Sequence, residues 1–401
     1  MDQTATGGYQ RVPLLVGPLP VRPVAPYAAE MLTKVRIGMV GAGAVAARHV
    51  RTLLAMDGVE VAGVADPALE RARELAGSAG AAAYPNHMEL LDAERLDAVY
   101  ICVPPFAHGA PELAVIDAGL PMFVEKPVAI DQETAAEIAD RLAGRSLVTC
   151  TGYHWRWLDK VPPPLWWPRR DGSGGQVIEQ TTHVLDAARA LAGEVVEVHA
   201  FGTRSAQTPG AAEAPGAAEA AAPAQAAVDP PTPGSVGPRT GRVADGGNAG
   251  PRISTPSADG GNGGSRSPTP PTQAALPAAD IHDVSVASLR FASGAVGTVA
   301  STCLLPRLHR AGVQVVADGL SLELSETELV VEVDGERSAW KAGADARPRP
   351  DADFVAAVRG GPDRIRVPWP EAYRTHLLAC AITRSAEEGR TLEVMNGDGH
   401  G

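Results

Sequence analysis

The stretch Val35-Arg36-Ile37-Gly38-Met39-Val40-Gly41-Ala42-Gly43-Ala44-Val45-Ala46 decides the fold. A short apolar run suited to a buried strand leads straight into a Gly-x-Gly turn, and the turn opens on residues with helical periodicity. Gly41 permits the tight turn and Gly43 lets a ligand approach the backbone. Ala46 stands where a small residue lets the following helix pack on the sheet. A helix starting here presents unpaired N–H groups and the positive end of its dipole, which suits a phosphate. A Gly-x-Gly alone is a weak signal. Asp66 strengthens it: it closes the second expected strand, 25 positions after Gly41, where a carboxylate accepts hydrogen bonds from an adenosine ribose and repels a 2'-phosphate. Gly41, Gly43, Ala44, Val45 and Asp66 therefore read as a dinucleotide site that prefers NAD to NADP.

Outward from this turn, short apolar runs alternate with helical segments, the pattern of a parallel sheet covered by helices. Strands are expected at 35–40, 59–65, 98–103, 122–125 and 147–151. Helices are expected at 45–56, 69–76, 112–118 and 133–143, the last N-capped by Asp131. Residues 34–151 thus read as an α/β domain, a Rossmann-type doubly wound parallel sheet.

Past Gly152 the grammar changes. A helix at 182–192 precedes a strand at 195–201. Further strands follow at 284–291, 295–302, 313–317, 320–324 and 329–333, and helices at 353–359 and 371–388 close the chain. Strands joined mainly by hairpins imply an α+β second domain with an open, mostly antiparallel sheet, spanning 152–396 with a tail at 397–401. Residues 203–279 consist largely of Ala, Gly, Pro, Ser and Thr, and too little apolar surface is available there to offset ordering entropy. A disordered insert between two strands is expected. Residues 1–33 read as a flexible leader, with Met31 as a candidate natural start.

Composition narrows the function. The 401 residues suffice for two cores. A formal net charge of -12 opposes binding of nucleic acid and points to a small-molecule partner. Four scattered cysteines without a Cys-x-x-Cys pair indicate neither a disulfide framework nor a zinc site, so no metal is expected and the reducing cytoplasm is the expected compartment. No apolar run approaches the roughly 20 residues that span a bilayer, so no membrane partner is expected. Cations are overwhelmingly arginine; the lysines are Lys34, Lys126, Lys160 and Lys341. Against that bias Lys126 suggests a need for a compact ammonium whose proton affinity can adjust.

Three motifs in order carry a family resemblance: the Gly41 to Ala46 loop, Val103-Pro104-Pro105-Phe106-Ala107-His108, and Glu125-Lys126-Pro127. Together they resemble the Gfo/Idh/MocA family of glucose-fructose oxidoreductase, inositol dehydrogenase and rhizopine-catabolism proteins, over about residues 34–156 and more loosely 174–394. The resemblance implies that Val103, Pro104 and His108 line the nicotinamide end, with Glu125 and Lys126 beside them, and that Lys126 reaches the reacting oxygen. For His108 a helix-start residue bonded to backbone is the competing reading.

A second constellation lies in Gly174-Gly175-Gln176-Val177-Ile178-Glu179-Gln180-Thr181-Thr182-His183-Val184-Leu185-Asp186. Glu179 and His183 are four apart and share a face if the helix begins early enough. In the family an aspartate commonly stands where Glu179 is, with a histidine four residues later, so His183 resembles the catalytic acid/base. An imidazole suits that role because its ordinary pKa, about 6.5, is near working pH. A structural histidine at a helix start is the alternative. Tyr153 and Arg156, in Tyr153-His154-Trp155-Arg156-Trp157, stand on the substrate side; Arg156 either anchors a substrate group or pairs with a carboxylate across the domain junction. Trp155, Trp157, Trp166 and Trp167 suit either a sugar's apolar face or burial at that junction.

The resemblance implies an NAD(P)-dependent oxidoreductase moving hydride between nicotinamide and a secondary alcohol or carbonyl of a sugar, cyclitol or related polyol. Lys126, His183 and Glu179 form the catalytic set. Lys126, Arg156, Tyr153 and His183 contact substrate, Glu125 either orients the ammonium or is a strand-end carboxylate, and assembly is as a homodimer or homotetramer. One departure keeps another class open. Only 17 residues separate Arg156 from Gly174, including Pro162-Pro163-Pro164, where the family places a helix and a long strand. A dinucleotide-binding sensor without turnover, and a biliverdin-reductase-like or dihydrodiol-dehydrogenase-like enzyme on the same scaffold, are the alternatives.

Overall fold

The computed structural model describes residues 34–153, 169–204, 280–304, 311–325, 327–341 and 349–394. The expected leader, Arg156 with the tryptophan and triple-proline segment, residues 205–279 of the expected insert and the terminal tail lie outside the described residues.

Six strands form the first sheet: β1 (Val35–Val40), β2 (Val59–Ala65), β3 (Ala82–Tyr84), β4 (Ala98–Ile101), β5 (Met122–Val124) and β6 (Thr149–Thr151). All pair in parallel, in the spatial order β3-β2-β1-β4-β5-β6. That order reverses direction between β1 and β4, and the crevice beyond the strand ends at this point is where such sheets bind ligands. The connections hold α1 (Ala44–Leu54), α2 (Leu69–Ala79), α3 (His87–Ala93), α4 (Ala110–Asp117) and α5 (Gln132–Leu142). Asp131 caps α5 as expected, its carboxylate accepting from the Thr134 amide at 2.8 Å.

Each face of the sheet has its own core. Ala46, Val50 and Leu53, spaced to form one stripe of α1, pack with Val35, Ile37 and Met39 of β1. On the other face Val40, Val99, Ile101 and Val124 meet Val115, Ile116 and Ile138. Each buried Val, Leu, Ile or Met among them contributes about 1.5–3 kcal/mol.

The second half contains α6 (Arg170–Ser173), a π-helical turn at Val177–Thr181, α7 (Thr182–Ala192), β7 (Val195–Thr203), β8 (Val284–Phe291) and β9 (Val296–Thr302). Next come β10 (Gly312–Ala317), β11 (Leu320–Ser325), β12 (Glu328–Val333), β13 (Glu336–Lys341), α8 (Arg349–Val358), α9 (Trp369–Glu388) and β14 (Leu392–Glu393). Instead of one open, mostly antiparallel sheet there are two, each of four strands: β14-β7-β8-β9 and the meander β10-β11-β12-β13. Every pairing in them is antiparallel. The meander gains β13 through Asp334-Gly335, both at positive φ (50° and 84°), a two-residue turn whose twist matches its strands. The sheet containing β7 buries Val198, Ala287, Leu289 and Phe291 against Leu185 of α7 and Leu378 and Ile382 of α9.

The chain's last helices bind the halves together. Phe354 and Val355 of α8 enter the core shared by β1 and α1, while Trp369 and Ala372 of α9 enter the opposite one. The Thr149 hydroxyl accepts from the Trp369 amide at 3.0 Å, and the Thr151 amide donates to the Val367 carbonyl at 2.9 Å.

Candidate active site

The residues singled out by the sequence gather beyond the carboxyl ends of the parallel strands. Gly41 follows β1, Asp66 follows β2, Val103 follows β4 by one residue beyond Cys102, Glu125 follows β5, and Gly152 follows β6. Parallel alignment puts all these strand exits on one edge of the sheet.

Gly41 has φ of 99°, and a Cβ there would lie 2.3 Å from the Cys102 carbonyl oxygen, so only glycine fits between the two strand exits. Gly43 is exposed, and a Cβ on it would meet nothing within 4 Å. It is the N-cap of α1, whose first turn carries no acidic residue and receives no side-chain cap. A tight inner glycine, an open outer glycine and a bare helix N-terminus fit a dinucleotide pyrophosphate. Asp66 is half-buried and accepts from the Ala42 amide at 2.9 Å and the Ala68 amide at 2.8 Å. Its carboxylate thus braces the glycine loop.

Pro104 enters a 3-10 turn at Pro105–Ala107, and His108 ends it. His108 is buried, with Nδ1 2.6 Å from Glu112 Oε1; the other Glu112 oxygen accepts from the Gly109 amide at 2.7 Å. It is therefore a helix-start histidine held by a carboxylate of α4, rather than by backbone, and its Nε2 is buried with no protein hydrogen-bond partner.

Lys126 Nζ donates to Glu179 Oε1 at 2.9 Å and to the Glu179 carbonyl at 3.0 Å. The pair is partly open to water, its side chains 19% and 13% exposed. Glu179 lies in the π-helical turn that runs directly into α7, so Glu179 and His183 belong to one helical segment, as the spacing required. A π turn widens the helix locally and breaks its regular bonding, a feature frequent at functional sites. The Tyr153 ring, just beyond β6, stands edge-on to the His183 ring at 5.7 Å, and its hydroxyl is 2.9 Å from Thr182 Oγ1. Lys126, Glu179, His183 and Tyr153 are thereby linked into one group. Arg156 lies outside the described residues.

Asp186, one turn along α7, accepts from the Thr375 hydroxyl at 3.1 Å. Burial pushes its carboxyl up to about 6, against the pull of that hydrogen bond and of Arg189. Arg189 bridges Glu194 at 2.5 Å and Glu371 at 3.3 Å, tying α7 to α9.

Glu125 faces inward. Its Oε1 lies 2.9 Å from His49 Nε2 and 3.3 Å from Arg48 Nη2, and its Oε2 accepts from the Lys126 amide at 3.1 Å. The other nitrogen of His49 is 2.6 Å from Asp351 Oδ1. Burial alone would lower the imidazole's pKa; the two carboxylates, Asp351 first, outweigh it and raise the value to about 9. Neither His49 nor Asp351 was among the residues expected at the site. His49 carries a signal in hindsight, a lone histidine on the apolar stripe of α1 beside Ala46, Val50 and Leu53. Asp351 carries none, since only the tertiary return of α8 brings it here.

Among the described residues no cluster of His, Cys, Asp or Glu could hold a metal. No helix among them is long and apolar enough to cross a membrane.

Known proteins resemble this chain in sequence and in fold. A family model described as "Oxidoreductase family, NAD-binding Rossmann fold" matches residues 35–153, and one described as "GFO/IDH/MocA C-terminal domain" matches 132–229. The rhizopine catabolism protein MocA of Rhizobium meliloti is 29% identical over 194 residues, 41% of this chain and 59% of that protein. An inositol 2-dehydrogenase of Streptomyces avermitilis is 40% identical over 115 residues, 28% of this chain and 34% of that protein. The matched stretch thus spans under two thirds of these relatives. Among solved structures, a levoglucosan dehydrogenase in complex with NADH superposes with a TM-score of 0.66 at 17% identity, over 90% of this chain and 99% of that one. The WlbA dehydrogenase from Bordetella pertussis, in complex with NADH and UDP-GlcNAcA, gives 0.60 at 17% identity, over 90% and 99%. At such identities the structures speak for the fold.

Proposed function

The chain belongs to the Gfo/Idh/MocA oxidoreductase family, and we propose that it is a dehydrogenase or reductase moving hydride between a nicotinamide dinucleotide and a CH–OH carbon of a sugar, cyclitol or related polyol. The observation that carries this reading is the Lys126 ammonium at the strand edge, held by Glu179 on the same helical segment that bears His183. The relatives that act on inositol and the neighbour named for levoglucosan support the substrate class.

The Gly41 to Val45 turn would hold the pyrophosphate, Asp66 the adenosine ribose, and the Val103 to Pro104 backbone the nicotinamide end. Bound there, the dinucleotide supplies the hydride acceptor or donor. The protein's part is proton and charge control. In the oxidative direction His183 takes the hydroxyl proton, and Lys126 hydrogen-bonds the same oxygen and stabilises the negative charge developing on it. Glu179 fixes the ammonium's position through two contacts. Tyr153 sets the plane of the His183 ring. In reduction the same groups act in reverse, with His183 returning the proton.

Asp66 favours NAD over NADP in this reading, because a carboxylate braced by two amides cannot swing away from a 2'-phosphate. A homodimer through the outer face of the β7 sheet also fits, since Phe201, Val286 and Val296 are exposed there, 66%, 44% and 81%. The decisive experiment is a steady-state assay of NAD and NADP reduction on inositols, sugars and sugar acids. Substrate-dependent NADH formation is expected. Tight NADH binding without turnover on any member of the panel would replace the enzyme with a sensor.

A further inference from the structure

The buried group behind Lys126 has no part in the chemistry just described. His49 lies on α1, the helix whose N-terminus forms the phosphate turn; Glu125 ends β5 immediately before Lys126; Asp351 lies on α8, more than 200 residues later in the chain. Their side chains are 1%, 7% and 4% exposed. Each ring nitrogen of His49 faces a carboxylate oxygen, at 2.9 and 2.6 Å. Ionised carboxylates only accept, so both nitrogens carry hydrogen and the ring is an imidazolium. Arg48, on the same helix, adds a second cation against Glu125. Two carboxylates and two cations neutralise one another where a single unpaired charge would be very costly.

The Glu125 carboxylate touches the site at two places. It accepts from the Lys126 amide. It fills the space above Gly152, where a Cβ would lie 2.6–2.7 Å from all three carboxyl atoms. Gly152 in turn precedes Tyr153, the residue whose ring stands against His183. A movement of Glu125 therefore displaces the Lys126 turn and the Tyr153 turn together. What holds Glu125 in place is His49, and what keeps His49 charged and correctly turned is, first, Asp351. Tyr100, Phe123 and Phe354 wall the group, the first two stacked at 4.6 Å and Phe354 edge-on to both.

We propose that His49 and Asp351 are positioning residues: a buried Asp351–His49–Glu125 bridge that sets the placement of Lys126 relative to the dinucleotide turn and to His183. The proposal rests on the function proposed above only for its kinetic consequence. The bridge spans the glycine-loop helix, the lysine strand and the carboxy-terminal helix, so its integrity registers all three. Neutralising Asp351 leaves the imidazolium half-partnered and frees the ring to turn, and Glu125 loses its anchor on the side away from Lys126.

The test compares His49→Gln and Asp351→Asn with Phe354→Leu, which loosens the same core without touching a charge. With Lys34, Lys126, Lys160 and Lys341 as the lysines, reductive ¹³C-methylation yields few dimethyl-lysine resonances, and Lys126→Met assigns the Lys126 signal. The bridge predicts that this signal moves in His49→Gln and Asp351→Asn but holds its wild-type position in Phe354→Leu, whatever the loss of melting temperature. With a substrate from the panel, kcat falls about 10- to 100-fold in the two polar variants, with NADH affinity retained, while Phe354→Leu retains kcat. An unmoved Lys126 resonance in both polar variants, or an equal displacement in Phe354→Leu, overturns the proposal. The resonance is read without turnover, so a wild-type protein inactive on every substrate would refute the enzymatic function and leave the bridge to be judged by its own signal.

Discussion

Glu125 and Lys126 are neighbours in the chain and opposites in surroundings. The Glu125 side chain is 7% exposed and joined to His49 and Arg48, and through His49 to Asp351; Lys126 is 19% exposed and joined to Glu179 across the junction of the two halves. One strand exit thus turns a carboxylate inward to a fixed charge network and an ammonium outward to the site. The difference teaches that the inward cluster is a matter of stability and placement, the outward pair one of chemistry, so substitutions on the two sides should fail in different ways.

The largest separation is expected at Lys126 itself. Lys126→Met should lower kcat about 10²- to 10³-fold, the usual cost of removing one donor to a developing oxyanion, while melting temperature and NADH affinity stay near wild type. A large loss of melting temperature instead would place Lys126 with the structural cluster and break the comparison. Gly41→Ala should fail the other way. With φ at 99° and a carbonyl oxygen 2.3 Å from the new Cβ, it should cost about 3 kcal/mol in denaturant unfolding and weaken NADH binding as well.

The inward cluster should also reveal itself by pH. His49 rises from 6.5 to about 9 on folding, so its contribution, about 3 kcal/mol, is fully present below pH 6.5 and disappears as pH climbs through 9. Melting temperature measured from pH 6 to 10 should fall along that course, and Asp351→Asn should flatten it. Asp186 has the opposite consequence at neutral pH. Its folded value of about 6 exceeds 3.8, so its stabilising contribution holds below pH 3.8 and is lost as pH rises through 6. Asp186→Asn should therefore stabilise the protein by about 1–2 kcal/mol at pH 7.5 and by nothing at pH 4. The smallest effect belongs to the exposed Glu70–Arg73 pair on α2. Glu70→Ala should change unfolding free energy by less than about 0.5 kcal/mol.

Much of the first domain was legible because strand and turn chemistry act locally. The strands 35–40 and 59–65 stand where their apolar runs placed them, and Asp131 caps its helix. Two of the elements not expected, β3 and β13, have little local signal, whereas α3 had one in the Asn86 cap and Glu89. β3 is three residues, none of them fully buried; β13, Glu336–Lys341, is exposed throughout and shows no alternation. At the site, Gly41, Lys126 and the Glu179 to His183 spacing were readable from motif and family resemblance. The roles of Asp66 in bracing Ala42 and of Glu125 in holding the Lys126 amide were not, because hydrogen bonds between distant segments leave no periodicity.

By itself the sequence determined the glycine turn, the parallel order of alternating strands and helices, and the residues able to move a proton or steady a charge. These follow from the reach of a few neighbouring side chains and from backbone freedom. Only the tertiary structure decided that Glu179 meets Lys126 and that Asp351 completes a buried bridge to His49. A charge pair becomes strong or costly only in the low dielectric that packing creates, and packing here joins residues 53 and 302 positions apart.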